Sequence, residues 1–313
     1  MIRLILLLLV AIFGIGLCLL AIYWLSFGLG IFVVAPFALG LMADLITRPT
    51  ARRHSVLAAV VTVLLGTALM LVTGLEGMIC LAMAVPLAFP LAMLGSLTGF
   101  TLRRRYISSN ERRAILAAAI LLGPAGVGAE AVWKPVDPLF PVQSSIEIDA
   151  PPARVWEFVV SSAIPEEREW LFHTGLAYPK RSTIDGSGPG ATRRCEFSTG
   201  TFVEPITVWD APRLLEFSVT SSAPPMEEWS PYAHIHPPHL DGYLVSRRGQ
   251  FRLTPLAGNR TRLVGTTWYQ HHLQPAEYWR WWSDYAIRRI HTRVLRNIKS
   301  LAEGPQAPAR ADR

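Results

Sequence analysis

Histidines and carboxylates gather in one short stretch of this 313-residue chain. His234-Ile235-His236-Pro237-Pro238-His239 lies close to Glu227, Glu228 and Asp241, and His271-His272 follows further along. Imidazole and carboxylate are good transition-metal ligands, which makes His234, His236 and His239 candidate metal ligands. Their spacing matches no zincin pattern, and two prolines exclude a helical HxxxH geometry. The competing reading is a proline-stiffened polar loop with hydrogen-bonding histidines, and no metal or other cofactor is expected. Histidine can also serve as general acid or base near neutral pH. His236, His239 or His271 paired with Glu204 or Asp241 would form a catalytic dyad. Strand alternation places Glu204 on one face with Phe202, Ile206 and Val208; its competing role is a salt bridge to Arg193 or Arg194. No GxGxxG, P-loop, GxSxG or HExxH sequence is present, which removes the common nucleotide, acyl-hydrolase and metalloprotease classes.

The elements that must hold these residues form the second half of the chain. Residues 131–141, with Pro135, Pro138 and Pro141, read as a stiff linker. Val142–Asp149 alternates as a strand. Pro152 suits the first turn of a helix whose apolar face is Val155, Trp156, Phe158 and Val159. A second short helix is expected over Glu166–His173. Strands follow at Leu176–Ile184, Gly190–Ser198, Thr201–Trp209, Leu214–Thr220, Tyr243–Pro255 and Arg260–His271, separated by turn sequences such as Thr199-Gly200 and Gly258-Asn259. Ala223–Asp241 has little periodicity and reads as a loop over one end of the sheet. A long helix over Pro275–Glu303 carries a stripe of Trp282, Ile287, Ile290, Val294, Ile298 and Leu301, with Arg289, Arg293, Arg296 and Lys299 mainly away from it. Residues 304–313 read as a disordered tail.

The first 130 residues prefer a different solvent. Mean hydropathy of +0.31 and 51% hydrophobic residues are high for a soluble chain, and the excess sits at the front. Five segments approach the roughly 20 apolar residues a spanning helix needs: Leu4–Ile22, Leu29–Ile46, Val56–Thr73, Met78–Leu97 and Ala114–Ala129. The last is short and holds Pro124, so four spans is the alternative. A cleaved leader at the front is less consistent with the long first apolar run than a retained helix. Arg48, Arg52 and Arg53 fill one gap and Arg103, Arg104, Arg105, Arg112 and Arg113 another, whereas the gaps at 23–28 and 74–77 hold no Lys or Arg. The positive-inside rule then puts the arginine gaps and the N-terminus in the cytoplasm and, with five spans, the second half outside. Asp44 and Glu76 fall at span ends, so no intramembrane ion path is evident. Residues 1–130 carry a net charge of +5 and residues 131–313 only +2, weak support for nucleic-acid binding. Cys18, Cys80 and Cys195 are far apart without CxxC spacing, against a disulfide framework or structural zinc.

The order strand, two helices, six strands, long helix, opened by Ile148-Asp149-Ala150-Pro151-Pro152-Ala153-Arg154-Val155-Trp156, resembles the START-like or SRPBCC superfamily, with its polyketide cyclase/dehydrase and lipid-transport group. Arg248-Gly249-Gln250-Phe251, Thr261-Arg262-Leu263 and the last helix fit the same pattern, so the resemblance covers residues 142–303. After the α-helical membrane bundle read from the apolar runs, it implies an α+β helix-grip domain, a seven-stranded antiparallel sheet wrapped around the long helix. It also implies a pocket for an apolar or amphipathic ligand, with Phe202, Tyr243, Phe251, Tyr269, Trp282 and Tyr285 as candidate lining. Fold and chemistry are separable in such superfamilies. The leading expectation is a membrane-anchored binder of a lipid-like or other hydrophobic small molecule, with the bilayer as its other partner and no protein partner indicated. The alternatives are a cyclase, dehydratase or hydrolase using a His-rich rim, and a membrane interaction or sensor module.

Overall fold

The computed structural model describes residues 1–105, 108–133, 138–165, 169–232 and 235–304. The chain divides into two compact units. One comprises Met1–Val136, Glu228–Asp241 and His272–Trp279; the other comprises Asp137–Glu227, Gly242–His271 and Arg280–Arg313.

In the first unit, unbroken runs of Leu, Ile, Val and Ala leave the backbone no competing polar side chains, and helices result. They are α1 (Ile2–Trp24), α2 (Ala35–Thr47), α3 (Arg52–Thr73), α4 (Met78–Arg104) and α5 (Ser109–Val132). A π-helical turn at Gly30–Val34 leads into α2, just ahead of Pro36, which cannot donate a backbone hydrogen bond. Ser108 and Glu111 form a capping box that fixes the start of α5. With Gly30–Thr47 taken as one, all five are long and apolar enough to cross a membrane. Helices α2 and α4 cross where Gly40 faces the Ala92 carbonyl and Gly95 the Phe37 carbonyl. A Cβ at either glycine would lie about 2 Å from that oxygen, so only glycine permits this approach.

Asp44 does more than end a span. It is fully buried, accepts a bond from Ser55 Oγ at 2.8 Å, and meets Arg103 Nε and Nη2 at 3.2 Å each. Ser55 and Ser96 close the network between α3 and α4 at 2.8 Å. A buried carboxylate held this way needs both its charge partner and its hydroxyl.

Residues 228–241, expected as a loop over the sheet, pack within this helical unit. The Glu228 carboxylate accepts the backbone N–H groups of Ile79 and Cys80 at 3.2 Å each, satisfying orphan donors at the start of α4. Met78 N donates to the Trp229 carbonyl, and the Tyr232 hydroxyl to that of Val72. Trp279 packs edge-on against Phe32, and the Tyr278 hydroxyl donates to the Met83 carbonyl.

The second unit is an antiparallel sheet with two helices. The strands are β1 (Phe140–Ile148), β2 (Ser162–Ala163), β3 (Pro179–Asp185), β4 (Thr192–Phe197), β5 (Gly200–Asp210), β6 (Leu214–Ser218), β7 (Leu244–Leu256) and β8 (Arg260–His271), in the order β1-β8-β7-β6-β5-β4-β3-β2. Among the described residues there are eight strands rather than seven. The extra one is β2, two residues pairing with β3, too short to show any alternation in sequence. Helix α6 (Pro152–Val160) buries Val155, Trp156 and Val159, and α7 (Ala276–Glu303) closes the curled sheet. Between them lie Ile148, Ile206, Leu215, Phe217, Leu253, Leu263, Leu295 and Ile298. The expected helix at Glu166–His173 is a 3-10 turn at Trp170–Thr174, and residues 166–168 lie outside those described. Part of the expected linker, 134–137, and nearly all of the expected tail, 305–313, lie outside them as well.

Two details of register shape the interior. A bulge between Ile206 and Val208 shifts the inward face of β5, so Trp209 rather than Val208 follows Ile206 into the core and meets Trp156 edge-on. On α7 the buried line runs through Leu295, Ile298 and Ala302, rotated from the stripe expected through Val294, Ile298 and Leu301. Arg293 is buried rather than turned to solvent. Its guanidinium lies over the rings of Phe172 and Tyr178 and donates to the Pro165 carbonyl.

Candidate functional site

Strands β4 to β8 do not close completely on α7. A cavity of about 90 Å³ remains, with apolar walls from Phe202, Phe217, Val219, Phe251, Val294 and Leu295. At roughly 10–15 Å³ of such volume per water it has room for several waters or a small organic group. The space depends on residue choice. Gly249 stands opposite Phe217 on the neighbouring strand, and a Cβ there would lie 2.5 Å from the Phe217 ring. Gly265 stands opposite Phe251, its absent side chain leaving only ordinary contacts to Phe251 and Leu295.

Into this apolar setting the sheet delivers an ion pair. Arg193 on β4 and Glu204 on β5 are directly paired in register, and Arg193 Nη1 donates to Glu204 Oε2. Their side chains are only 6% and 8% exposed. The guanidinium lies 4.9 Å from the centre of the Phe217 ring, a cation–π arrangement. Burial pushes the Glu204 carboxyl above its ordinary value, while the Arg193 charge opposes that rise. Arg193 Nε is a buried donor with no hydrogen-bond partner among the described residues. An orphan donor in a desolvated site costs about 1–3 kcal/mol, and a ligand oxygen could recover it.

His291 supplies the second polar group. It projects from α7 into the cavity lining, with Nε2 at 2.8 Å from Thr267 Oγ1 and Nδ1 at 3.3 Å from Ser144 Oγ. Burial, reinforced by the charge of Arg288, pulls it down from 6.5 to about 4. The imidazole is therefore neutral at pH 7. With so low a value it is also a weak base, so it suits hydrogen bonding better than proton abstraction.

The residues singled out from sequence converge only in part. Phe202, Phe251 and Glu204 line the cavity. Tyr243, Tyr269, Trp282 and Tyr285 are not among its lining residues. Tyr269 is fully buried, donating to Asp284 Oδ1 at 2.6 Å, and Tyr285 is exposed. His271 is no rim residue: it is 1% exposed and stacks on Phe140 at 5.2 Å. His236 is exposed and pairs with Asp241 at 2.8 Å. His239 lies in the helical unit beside Cys80 at 3.0 Å. His234 lies outside the described residues. The partner of Glu204 is Arg193 rather than a histidine.

A curled antiparallel sheet, a long closing helix and a cavity between them are the makings of one fold family. Residues 140–303, over half of the chain, match the family described as polyketide cyclase / dehydrase and lipid transport. The chain belongs to this family. The match runs from β1 to the end of α7. Among solved structures, the domain is similar to a norcoclaurine synthase point mutant from Thalictrum flavum in complex with a transition-state analogue. That match has 12% identity over 54% of this chain and 96% of that one, with a TM-score of 0.35. It is also similar to the Zhui aromatase/cyclase from Streptomyces sp. R1128, at 17% identity over 53% of this chain and 94% of that one, TM-score 0.35. No curated protein matches the chain.

Two polar residues of this cavity, His291 and Arg193, leave only weak signals in the sequence. His291 stands four residues after Ile287 and three before Val294, on the apolar stripe of α7. That position was the available signal, since a histidine on a buried stripe needs partners. Arg193 was visible only as a possible mate for Glu204. Its burial follows from the β4–β5 register, which no local pattern shows.

Proposed function

We propose that this protein is a membrane-tethered helix-grip domain that binds a small amphipathic molecule between its sheet and α7. The apolar part would lie against Phe202, Phe217, Phe251, Val294 and Leu295. A polar end would be addressed by Arg193 Nε and by the His291–Thr267 pair. The observation that carries this reading is the buried Arg193–Glu204 pair with an unanswered donor beside an apolar cavity. Apolar burial supplies about 25 cal/mol per Å², and a few polar groups fix the orientation.

Tethering fits the same chemistry, because an amphipathic guest partitions into a bilayer and the pocket then sits beside its reservoir. Five apolar helices support a multi-pass anchor, and Leu9, Ile12, Leu64, Leu94 and Leu121 are outward-facing on it. The arginine loops point to a cytoplasmic N-terminus and an outer-side domain. Reporter fusions after residue 113 and after residue 135 test that topology; signals on the same side of the membrane would overturn it.

The ligand reading is tested by mass spectrometry of small molecules released from the full-length protein after purification in mild detergent. An amphipathic compound retained by the wild type and lost in Arg193→Met supports it. Identical small-molecule content in the two would contradict it. A rim-histidine enzyme gains no comparable support, since His236, His239 and His271 lie outside the cavity lining.

A further inference from the structure

The helical unit holds a second constellation of chemistry-bearing residues. Glu76 lies in the turn between α3 and α4, Cys80 in the first turn of α4, and His239 in the 3-10 turn Pro238–Leu240. Cys80 Sγ is 3.0 Å from His239 Nε2, and Glu76 Oε1 is 3.4 Å from His239 Nδ1. One donor atom from each residue falls within 4.8 Å of the other two. The side chains of Glu76 and His239 are each only 11% exposed. Neither Glu76 Oε2 nor His239 Nδ1 has a hydrogen-bond partner among the described residues, and the Nδ1 approach to Glu76 Oε1 is an ion-pair contact rather than a hydrogen bond. The Phe27 ring, 5.4 Å from that of His239, adds an apolar neighbour.

Thiol, imidazole and carboxylate in a row could act as a nucleophile relay or as a ligand set. The surrounding charge decides between them. A relay requires an accessible thiolate, which cationic neighbours favour. Here the neighbours are carboxyl groups: Glu76 itself, and Glu228, whose carboxylate accepts from the backbone N–H groups of Ile79 and Cys80. Such neighbours disfavour a free thiolate at Cys80, which speaks against the relay, whereas three converging donor atoms of different kinds suit a divalent metal. We propose that Glu76, Cys80 and His239 form a binding site for a divalent transition-metal ion of the zinc class. One sulfur, one nitrogen and one oxygen donor match the borderline-soft character of zinc, and three protein ligands leave one coordination position for water or another group.

The electrostatics agree with this geometry. Burial, with the charge of Glu228 adding to it, pushes the Glu76 carboxyl up to about 8. Burial, with His236 adding to it, pulls His239 down to about 4. A bound cation would stabilise the carboxylate that burial disfavours. The Cys80 thiol must lose its proton on coordination, so uptake of the metal releases a proton to solvent. The site belongs to the end of the helical unit opposite the arginine-rich turns, and it is independent of the cavity reading.

Cobalt(II) is the probe, because a thiolate bound to it gives a charge-transfer absorption in the near ultraviolet. Full-length protein in detergent, stripped with chelator, is titrated with cobalt and then with zinc. The expected result is a saturable thiolate band that zinc displaces. Cys80→Ser should abolish the band. His239→Gln and Glu76→Gln should each weaken binding by more than the roughly 10–100-fold typical of outer-shell changes. Absence of a thiolate band in the wild type would overturn the proposal, whatever the variants do. So would a band that survives Cys80→Ser, or one lost in His236→Ala but kept in His239→Gln.

Discussion

Removing only the positive half of the cavity ion pair should be far more damaging than removing both halves. Arg193 and Glu204 are 6% and 8% exposed, so neither can rehydrate when its partner goes. Arg193→Met keeps much of the side-chain volume and leaves the Glu204 carboxylate buried among Phe202, Phe217 and Phe251. Breaking such a pair typically costs about 3–5 kcal/mol, whereas replacing both partners by apolar residues is often neutral or stabilising. For a domain of this size each kcal/mol moves the melting temperature by roughly 2–4 °C. The single variant should therefore melt roughly 6–20 °C below wild type. The double variant Arg193→Met/Glu204→Leu should recover most of that loss. Tryptophan fluorescence of the full chain in detergent, read against temperature, measures both. A single variant that melts with wild type would refute the idea of a desolvated pair. So would a double variant no more stable than the single.

Other perturbations follow from the same structure. His291 is depressed from 6.5 to about 4, so the unfolded chain takes up its proton first as the pH falls. Its contribution is present above pH 6.5 and lost progressively toward pH 4; at about 1.4 kcal/mol per pH unit that is about 3 kcal/mol. His291→Gln should flatten stability against pH across that window, and an unchanged pH profile would contradict the assignment. Gly249→Ala puts a Cβ 2.5 Å from the Phe217 ring, and such overpacking should cost about 1–3 kcal/mol. In the helical unit, Gly40→Ala drives a Cβ to 1.9 Å from the Ala92 carbonyl, whereas a Cβ at Gly66 meets nothing within 4 Å. Size-exclusion profiles should show loss of monodisperse protein for Gly40→Ala, with Gly66→Ala behaving as wild type.

What the sequence made legible was whatever repeats locally. The apolar runs of α1 to α5 and the turns at Thr199-Gly200 and Gly258-Asn259 placed most elements within a few residues. The opening run from Ile148 to Trp156 pointed to the helix-grip family. Features without a local period stayed hidden. The bulge after Ile206 moves Trp209 inward and cannot be read from alternation. On α7, Leu301, Leu295 and His291 all fall at acceptable helical steps, so periodicity alone does not select the buried line. Asp44 looked like a tolerable span-end carboxylate; its partner Arg103 is 59 positions away. The same distance problem hid His239 from Cys80, 159 positions apart. The histidine cluster drew attention as a unit, yet the fold sends His236 to an exposed pair with Asp241 and His239 to a buried one with Cys80.

Binding of an apolar fluorescent probe to purified, delipidated full-length protein tests the ligand account most directly, with wild type compared to Gly265→Val. A Cβ at Gly265 makes only ordinary contacts of 3.6–3.8 Å, so the added methyls of valine must enter the cavity rather than the backbone. The account predicts saturable probe binding by wild type that falls at least about tenfold in the variant, a change of about 1.4 kcal/mol. Equal binding by the two proteins, or none by wild type, would contradict it.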